Sequence, residues 1–258
     1  MQSTSGFSAE CAGHIASMGL MCGVYGINVA HELGHRPSRF EQLLSKTMLL
    51  SSLYMHFFIE HNRGHHRNVG TPDDPATARR GENIYRFWMR SLTMSVVSAW
   101  HIVARERKRK SLSTWSVRNE FIQYALLEIT LCITIYLLFG AMAAIAFVIA
   151  AVIGMLLLES VNYIEHYGLM RTRINDKRYE DVLPVHSWNS DFVLGRLVLF
   201  ELTRHSDHHS EPSKHYQYLA SMPTSGQLPA GYPAMLVLSL FPPLWFRVMD
   251  HRIPLKSA

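Results

Sequence analysis

The chain has 258 residues, 48% of them hydrophobic, with 15 histidines and a formal net charge of +5. Such averages suit an ordinary soluble domain as well as a membrane protein with a polar cap. The basic residues form no nucleic-acid motif and are not interleaved with exposed aromatics, which argues against a nucleic-acid partner. The three cysteines, Cys11, Cys22 and Cys132, have no CxxC spacing, so neither a disulfide framework nor a thiolate metal site follows.

In chain order, the residues up to about Ala9 read as a loose lead-in without the basic start and apolar core of a signal peptide. From Ile15 to His35 a small-residue-rich apolar segment predicts a helix whose glycines permit close packing in lipid, with histidines in its last turn. After the Pro37-Ser38 break, Phe40 to His66 reads as a second helix that also ends in histidines. Residues 68–119 are rich in charge and turn formers, with one or two amphipathic helices expected around Tyr85 to His101. The run from Arg105 to Lys110 lies between apolar segments, where Lys and Arg mark the cytoplasmic side of a membrane.

From Glu120 to Tyr163 the chain is almost continuously apolar, far beyond the ~20 residues that cross a bilayer once. It must cross twice: Phe121 to Phe139 outward, a turn at Gly140, and Met142 to Ile164 back to the basic side. A helix from about Ser190 to Arg204 leads to the last histidine cluster. The proline-broken tail AMLVLSLFPPLWF reads as an interfacial element. The expected architecture is an all-α integral membrane protein, a transmembrane helix bundle with a cytoplasmic polyhistidine cap, in a single domain over residues 1–258.

Four clusters carry the chemistry: HELGH from His31 to His35, EHNRGHH from Glu60 to His66, NYIEHYG from Asn162 to Gly168, and RHSDHH from Arg204 to His209. Residues three or four apart share a helix face. His31 with His35, His61 with His65 and the adjoining His66, and His205 with His208 and His209 are thus expected to converge in sets, joined by His166. Nine imidazoles exceed the coordination of one metal, while two metals leave positions open, and imidazole suits iron, copper and zinc. Each cluster has an acidic neighbour, Glu32, Glu60, Glu165 or Asp207, whose natural role is to hold an imidazole tautomer. Taken alone, His31-Glu32-x-x-His35 fits the zinc-protease pattern HExxH, which leaves seven histidines unexplained.

The order HELGH, EHNRGHH, NYIEHYGL and LTRHSDHH resembles the signature of the membrane alkane hydroxylases, the alkane 1-monooxygenase family. The third motif separates that family from the desaturases, and the likeness continues through GTPDDPATARRGENIYRFWMRS and LPAGYPAMLVLSLFPPLWFRVMD. The resemblance implies two iron ions in a non-haem di-iron centre held by His31, His35, His61, His65, His66, His166, His205, His208 and His209. It also implies Asp74, Glu165 and Asp207 as supporting carboxylates, with Glu32 and Glu60 as weaker candidates. The implied reaction is O2-dependent terminal hydroxylation of medium-chain n-alkanes, with electrons from rubredoxin and rubredoxin reductase. The implied setting is the bacterial inner membrane, with the metal site on the cytoplasmic side. Members of the family carry further helices before HELGH, so the chain reads as a member lacking its N-terminal portion. His14, His56, His101, His186, His215 and His251 have no partner at ligand spacing and are taken as bystanders.

Three other readings compete. A desaturase, or a hydroxylase of an aromatic methyl group or fatty acid, would use the same centre. A zinc membrane protease would use His31, Glu32 and His35 alone. A metal transporter would place its ligands along a path through the bilayer, whereas these clusters sit at helix ends.

Overall fold

The computed structural model describes residues 8–176 and 178–254. Most of the lead-in expected up to about Ala9 therefore lies outside the described residues. Ser8 accepts a hydrogen bond from the Cys11 amide and caps the first helix, α1 (Ala9–Met21). A π-helical turn, Cys22–Ile27, carries the chain on into α2 (Asn28–Gly34), so the first predicted helix is continuous and begins earlier than expected.

The second predicted helix is broken. α3 (Arg39–Ser51) stops at Ser52, Leu53 takes a left-handed φ of 49°, and the chain restarts as α4 (His56–Glu60). A second π-helical turn, His61–His65, then leads into the short α5 (His66–Asn68). Sequence periodicity ran through this break because Leu49 and Tyr54 on either side of it are both buried apolar residues. The basic run is helical too: α6 (Ile84–Arg109) spans 26 residues, opened by the Asn83 side chain and closed by Arg107, Lys108 and Arg109 in its last turn. Cations there are favourable against the helix dipole, which explains why helix replaces the expected loop.

α7 (Glu120–Phe139) and α8 (Ala141–His166) match the two expected crossings, and Gly140 joins them at φ +83°, a conformation costly for any residue with a Cβ. Both are long and apolar enough to cross a membrane. α7 buries only Tyr124, and it displays Ile129, Ile133, Leu137 and Phe139 outward, as a lipid-facing helix would. α8 is the central element. It packs on α1, on the first π-turn, on α6 and on α7.

Small residues set the approach of α1 to α8. A Cβ built on Gly154 would lie 2.9 Å from Cys22 Cβ and 3.2 Å from both the Gly19 carbonyl and the Gly23 amide. Two of those neighbours are backbone, so Gly154→Ala is expected to push the helices apart and destabilise the protein by about 1–3 kcal/mol. Gly13, with nothing within 4 Å of its built Cβ, should accept alanine. Equal thermal stability of the two variants would contradict this packing.

The remaining structure is short. β1 (Arg173–Asn175) pairs antiparallel with β2 (Arg178–Tyr179), and β3 (Trp188–Asn189) pairs parallel with β4 (Gly226–Gln227). The helix expected from Ser190 to Arg204 is cut to α9 (Val193–Val198), because Phe200 and Glu201 both turn left-handed before α10 (His205–Ser210). The tail forms α11 (Tyr232–Ser239) and α12 (Pro242–Met249). Tyr232, Met235, Trp245 and Met249 are fully buried against Tyr163 and Tyr167, so this segment is part of the core and not only an interfacial element.

Candidate metal centre

The histidine motifs meet at one place: the end of α2, the second π-turn, the end of α8, and α10. All nine imidazoles singled out from the sequence are gathered there, and they divide into two groups. His31, His35, His61, His66 and His208 form one, while His65, His166, His205 and His209 form the other, each with its ligand atoms within 4.8 Å of one another.

The division differs from simple helical spacing. His31 with His35, and His205 with His209, share a group as their separation of four suggests, but His61 and His65 do not. The π-turn between them shifts the phase of the helix, so that His61 and His66 face one group and His65 the other. His208 likewise joins the five-membered group, apart from its neighbours on α10.

Within each group the Nε2 atoms converge. His31 to His208 is 3.0 Å, His208 to His66 is 3.2 Å, His66 to His61 is 3.0 Å and His61 to His35 is 3.1 Å. In the second group His205 lies 3.0 Å from both His166 and His209. Neutral imidazole has one donor and one acceptor, so several such nitrogens aimed at one another cannot all be satisfied by mutual hydrogen bonds. A cation at the common point satisfies them all. Nitrogens at right angles about a centre ~2.1 Å away lie about 3.0 Å apart, whereas a tetrahedron of that radius separates them by about 3.4 Å. The observed spacings are close enough for the nitrogens of each group to share one ion.

Ligand nitrogens must be unprotonated, and burial supplies that condition. Burial, followed by the crowding of neighbouring imidazoles, pushes His205, His208 and His209 well below the ordinary histidine range, and His35 down to about 3. His65 is the exception. Burial alone would lower it, but the Asp74 carboxylate, joined by Glu60 and Glu159, outweighs burial and draws it upward.

A pH dependence follows from His35. Its unfolded pKa near 6.5 exceeds its folded value of about 3, so between those values the unfolded chain binds protons that the folded chain refuses. Stability of the metal-free protein is therefore expected to be full above about pH 6.5 and to decline progressively as the pH falls toward 3. Thermal melts of chelator-treated protein from pH 8 to pH 4 measure it, and a flat profile would contradict the buried neutral state.

The supporting groups are specific. Asp74 Oδ2 lies 3.0 Å from His65 Nδ1 and accepts from Thr77 Oγ1 at 2.5 Å, while Oδ1 accepts from the Ala76 amide at 3.1 Å. Burial works against its charge, but these partners prevail and hold the carboxyl below its usual range. With Nδ1 engaged, the buried Nε2 of His65 has no hydrogen-bond partner and points into the second group. An orphaned buried nitrogen costs roughly 1–3 kcal/mol, which a bound metal would remove. Glu165 Oε2 stands 3.3 Å from His205 Nε2, with Tyr232 Oη donating to its other oxygen at 2.9 Å.

The expectation for Asp207 is corrected. Its carboxylate accepts from Lys214 Nζ at 2.8 Å and the Ala220 amide at 2.6 Å, tying α10 to the following loop, and among the described residues no hydrogen bond joins it to an imidazole. Glu32 is held by Arg36 and the Tyr216 amide, and Glu60 accepts from Ser98. Spacing alone could not reveal two of the supports: the His186 carbonyl, 3.3 Å from His166 Nδ1, and the Tyr232 hydroxyl. His186, a bystander by spacing, contributes through a backbone atom that no motif encodes.

A small cavity touches both groups, lined by His31, His61, His205, Glu165, Phe57 and Leu202 among others, with room for about one water at 10 Å³. Leu158, Val161 and Leu202 also line a second, apolar cavity of 40 Å³ that reaches Gly23, Val24 and Leu236. The two cavities thus adjoin through shared apolar walls, one of them against the imidazoles.

The fatty acid desaturase family model matches residues 11–239. Alkane 1-monooxygenase of Ectopseudomonas oleovorans is 43% identical over 238 residues, covering 92% of this chain and 59% of the relative. Alkane 1-monooxygenase 1 of Alcanivorax borkumensis is 43% identical, covering 92% and 58%. The xylene/toluene monooxygenase hydroxylase component of Pseudomonas putida is 30% identical, covering 93% and 63%. The chain therefore spans less than two thirds of the length of these relatives, and the likeness to alkane hydroxylases read from its motifs is borne out.

Proposed function

The chain belongs to the fatty acid desaturase family and is 43% identical to an alkane 1-monooxygenase over 238 residues; on that premise we propose that it carries the di-iron centre of a terminal alkane hydroxylase. The observation that supports this most is the convergence of nine imidazoles, seven of them buried and His35 and His66 half-buried, in two groups beside a small cavity. The reaction converts R–CH3, O2, two electrons and two protons into R–CH2OH and water. Two irons held by the five- and four-histidine groups would supply the activation of O2 that an unactivated C–H bond requires.

The side chains of this protein do the rest. Asp74 accepts the Nδ1 proton of His65 and so leaves Nε2 free for metal, and the His186 carbonyl does the same for His166. Tyr232 fixes the Glu165 carboxylate beside His205, where it can hold a proton at the edge of the reaction cavity. Phe57, Leu158, Val161 and Leu202 exclude water. An alkane has no polar handle, so its orientation must come from such apolar walls, which let a chain approach end-on.

Electrons are proposed to come from rubredoxin and its reductase, in the bacterial inner membrane with the centre on the cytoplasmic side. A zinc protease is less well supported, since Glu32, its required base, is engaged by Arg36 and Tyr216. A second hydroxylase reading has one support, the xylene/toluene relative, and would make an aromatic methyl group the substrate. The deciding experiment measures metal per chain of detergent-purified protein, then the oxidation of octane and of toluene driven by reduced rubredoxin. Iron near two per chain with 1-octanol formed is the expected result; benzyl alcohol alone would move the assignment to the second substrate. Zinc at one per chain, with no oxidation of either, would overturn it.

A further inference from the structure

A cavity of about 490 Å³ lies apart from the nine histidines of the candidate centre. It lies between α6, the segment after the second π-turn and the turn that carries Asp73, and it has no part in the chemistry above. Its α6 wall includes one continuous stripe: Met94, Val97, His101, Arg105 and Arg109 recur three or four apart and so share one face, beside Ser98, Ile102 and Glu106. The stripe is graded. Met94 and Val97 are exposed apolar side chains at one end, and Arg105 and Arg109 are exposed cations at the other.

Arg67 lines the same cavity as Arg105 and Arg109, from the segment after the second π-turn. Arg63 is already neutralised by Glu106 at 2.8 Å and Glu120 at 2.5 Å. No carboxylate pairs with Arg67, Arg105 or Arg109 among the described residues, and Asp73 is the one other acid in the lining. Three guanidiniums against one carboxylate leave the cavity cationic. Guanidinium presents a fork of donors that matches phosphate oxygens.

The position is as informative as the charge. Arg63 bonds Glu120, the first residue of α7, which fixes the cavity at the polar end of a helix long and apolar enough to span a membrane. From Arg105 to Val97 the helix rises about 12 Å, the distance from a phosphate head to the first part of an acyl chain.

We infer that this groove binds one anionic phospholipid, its phosphodiester on Arg67, Arg105 and Arg109 and its acyl chain along Met94 and Val97. Free phosphate would use the cationic end alone, and the apolar half of the stripe is what favours the lipid. Because Arg67 follows His66 and Asp73 precedes Asp74, an occupied groove also steadies two segments that meet the histidine centre. Basic clusters beside membrane spans attract anionic lipid generally. The present groove is distinguished by shape and by a fixed set of three arginines.

The test uses the full chain in detergent, titrated with short-chain phosphatidylglycerol, with phosphatidylcholine of the same chain length, and with inorganic phosphate, followed by native mass spectrometry and thermal shift. Phosphatidylglycerol is expected to bind as one molecule and to raise the melting temperature, at least tenfold more tightly than the other two. The triple variant Arg67→Gln, Arg105→Gln, Arg109→Gln should lose that preference. The control Lys108→Gln, Lys110→Gln removes two cations of the same helix end that do not line the cavity and should keep it. Met94→Gln, Val97→Gln should weaken the lipid without changing phosphate binding. Equal binding of the two lipids, equal loss in the arginine and lysine variants, or phosphate binding as tightly as phosphatidylglycerol would each overturn the proposal. None of these readouts depends on turnover, so failure here is separable from failure of the hydroxylase reading.

Discussion

His166→Ala is expected to lower bound iron from about two per chain toward about one and to reduce alkane turnover by roughly 100-fold or more. Even outer partners of metal ligands typically cost 10–100-fold when removed, and His166 is one of four imidazoles in its group. The five-membered group keeps all its members in this variant, which is why partial loss of metal, with nearly complete loss of turnover, is the distinguishing pattern. His166 is fully buried, so truncation also leaves a void that water can enter. His56→Ala is the comparison: His56 lies outside both groups, 3.4 Å from Ser95 Oγ and edge-on to the Tyr54 ring with centroids 4.8 Å apart. Iron analysis and octane assays on both variants decide the matter. If His56→Ala lost metal and His166→Ala kept it, the two-group site would be wrong.

The second large effect is expected at Asp74. Asp74→Asn keeps the shape of the side chain but removes the charge that draws His65 upward, and it presents a donor to groups that need an acceptor. Metal affinity of the four-histidine group should fall about 10–100-fold, the usual range for losing a carboxylate behind a metal-bound histidine. Asp207→Asn is the informative contrast. The Asp207 carboxylate faces Lys214 and Ala220, so the substitution should loosen the loop after α10 while leaving iron affinity within a few-fold of the parent. Chelator competition on the purified variants measures both. Equal losses at the two positions would mean that Asp74 acts through folding and not through His65.

These two aspartates show where sequence reasoning stops. Each neighbours a motif and each is acidic, and spacing treats them alike. Whether a carboxylate faces an imidazole is decided by the turn that carries it. The TPDDP turn aims Asp74 at His65 with the help of Thr77 and Ala76, whereas the first turn of α10 aims Asp207 away from the centre. Glu165, on the last turn of α8, needed Tyr232 from a helix 67 residues later to complete its setting.

By itself the sequence determined which nine histidines converge, that two apolar segments pair across Gly140, and which family the chain resembles. Those properties are local: ligand spacing within a turn, apolar length, and a glycine where φ must be positive. Only the tertiary structure decided the partition of five and four. The π-turn at His61–His65 rotates two histidines of one motif toward different groups, and helical periodicity assumes a constant 3.6 residues per turn. It also decided that α6 continues through the basic run, so that Arg105 and Arg109 become the wall of a cavity and not part of a loop. A helix end and a loop carry the same charges; what differs is whether those charges are held on one face of a cavity that Arg67 also lines, and that depends on packing between segments far apart in the chain.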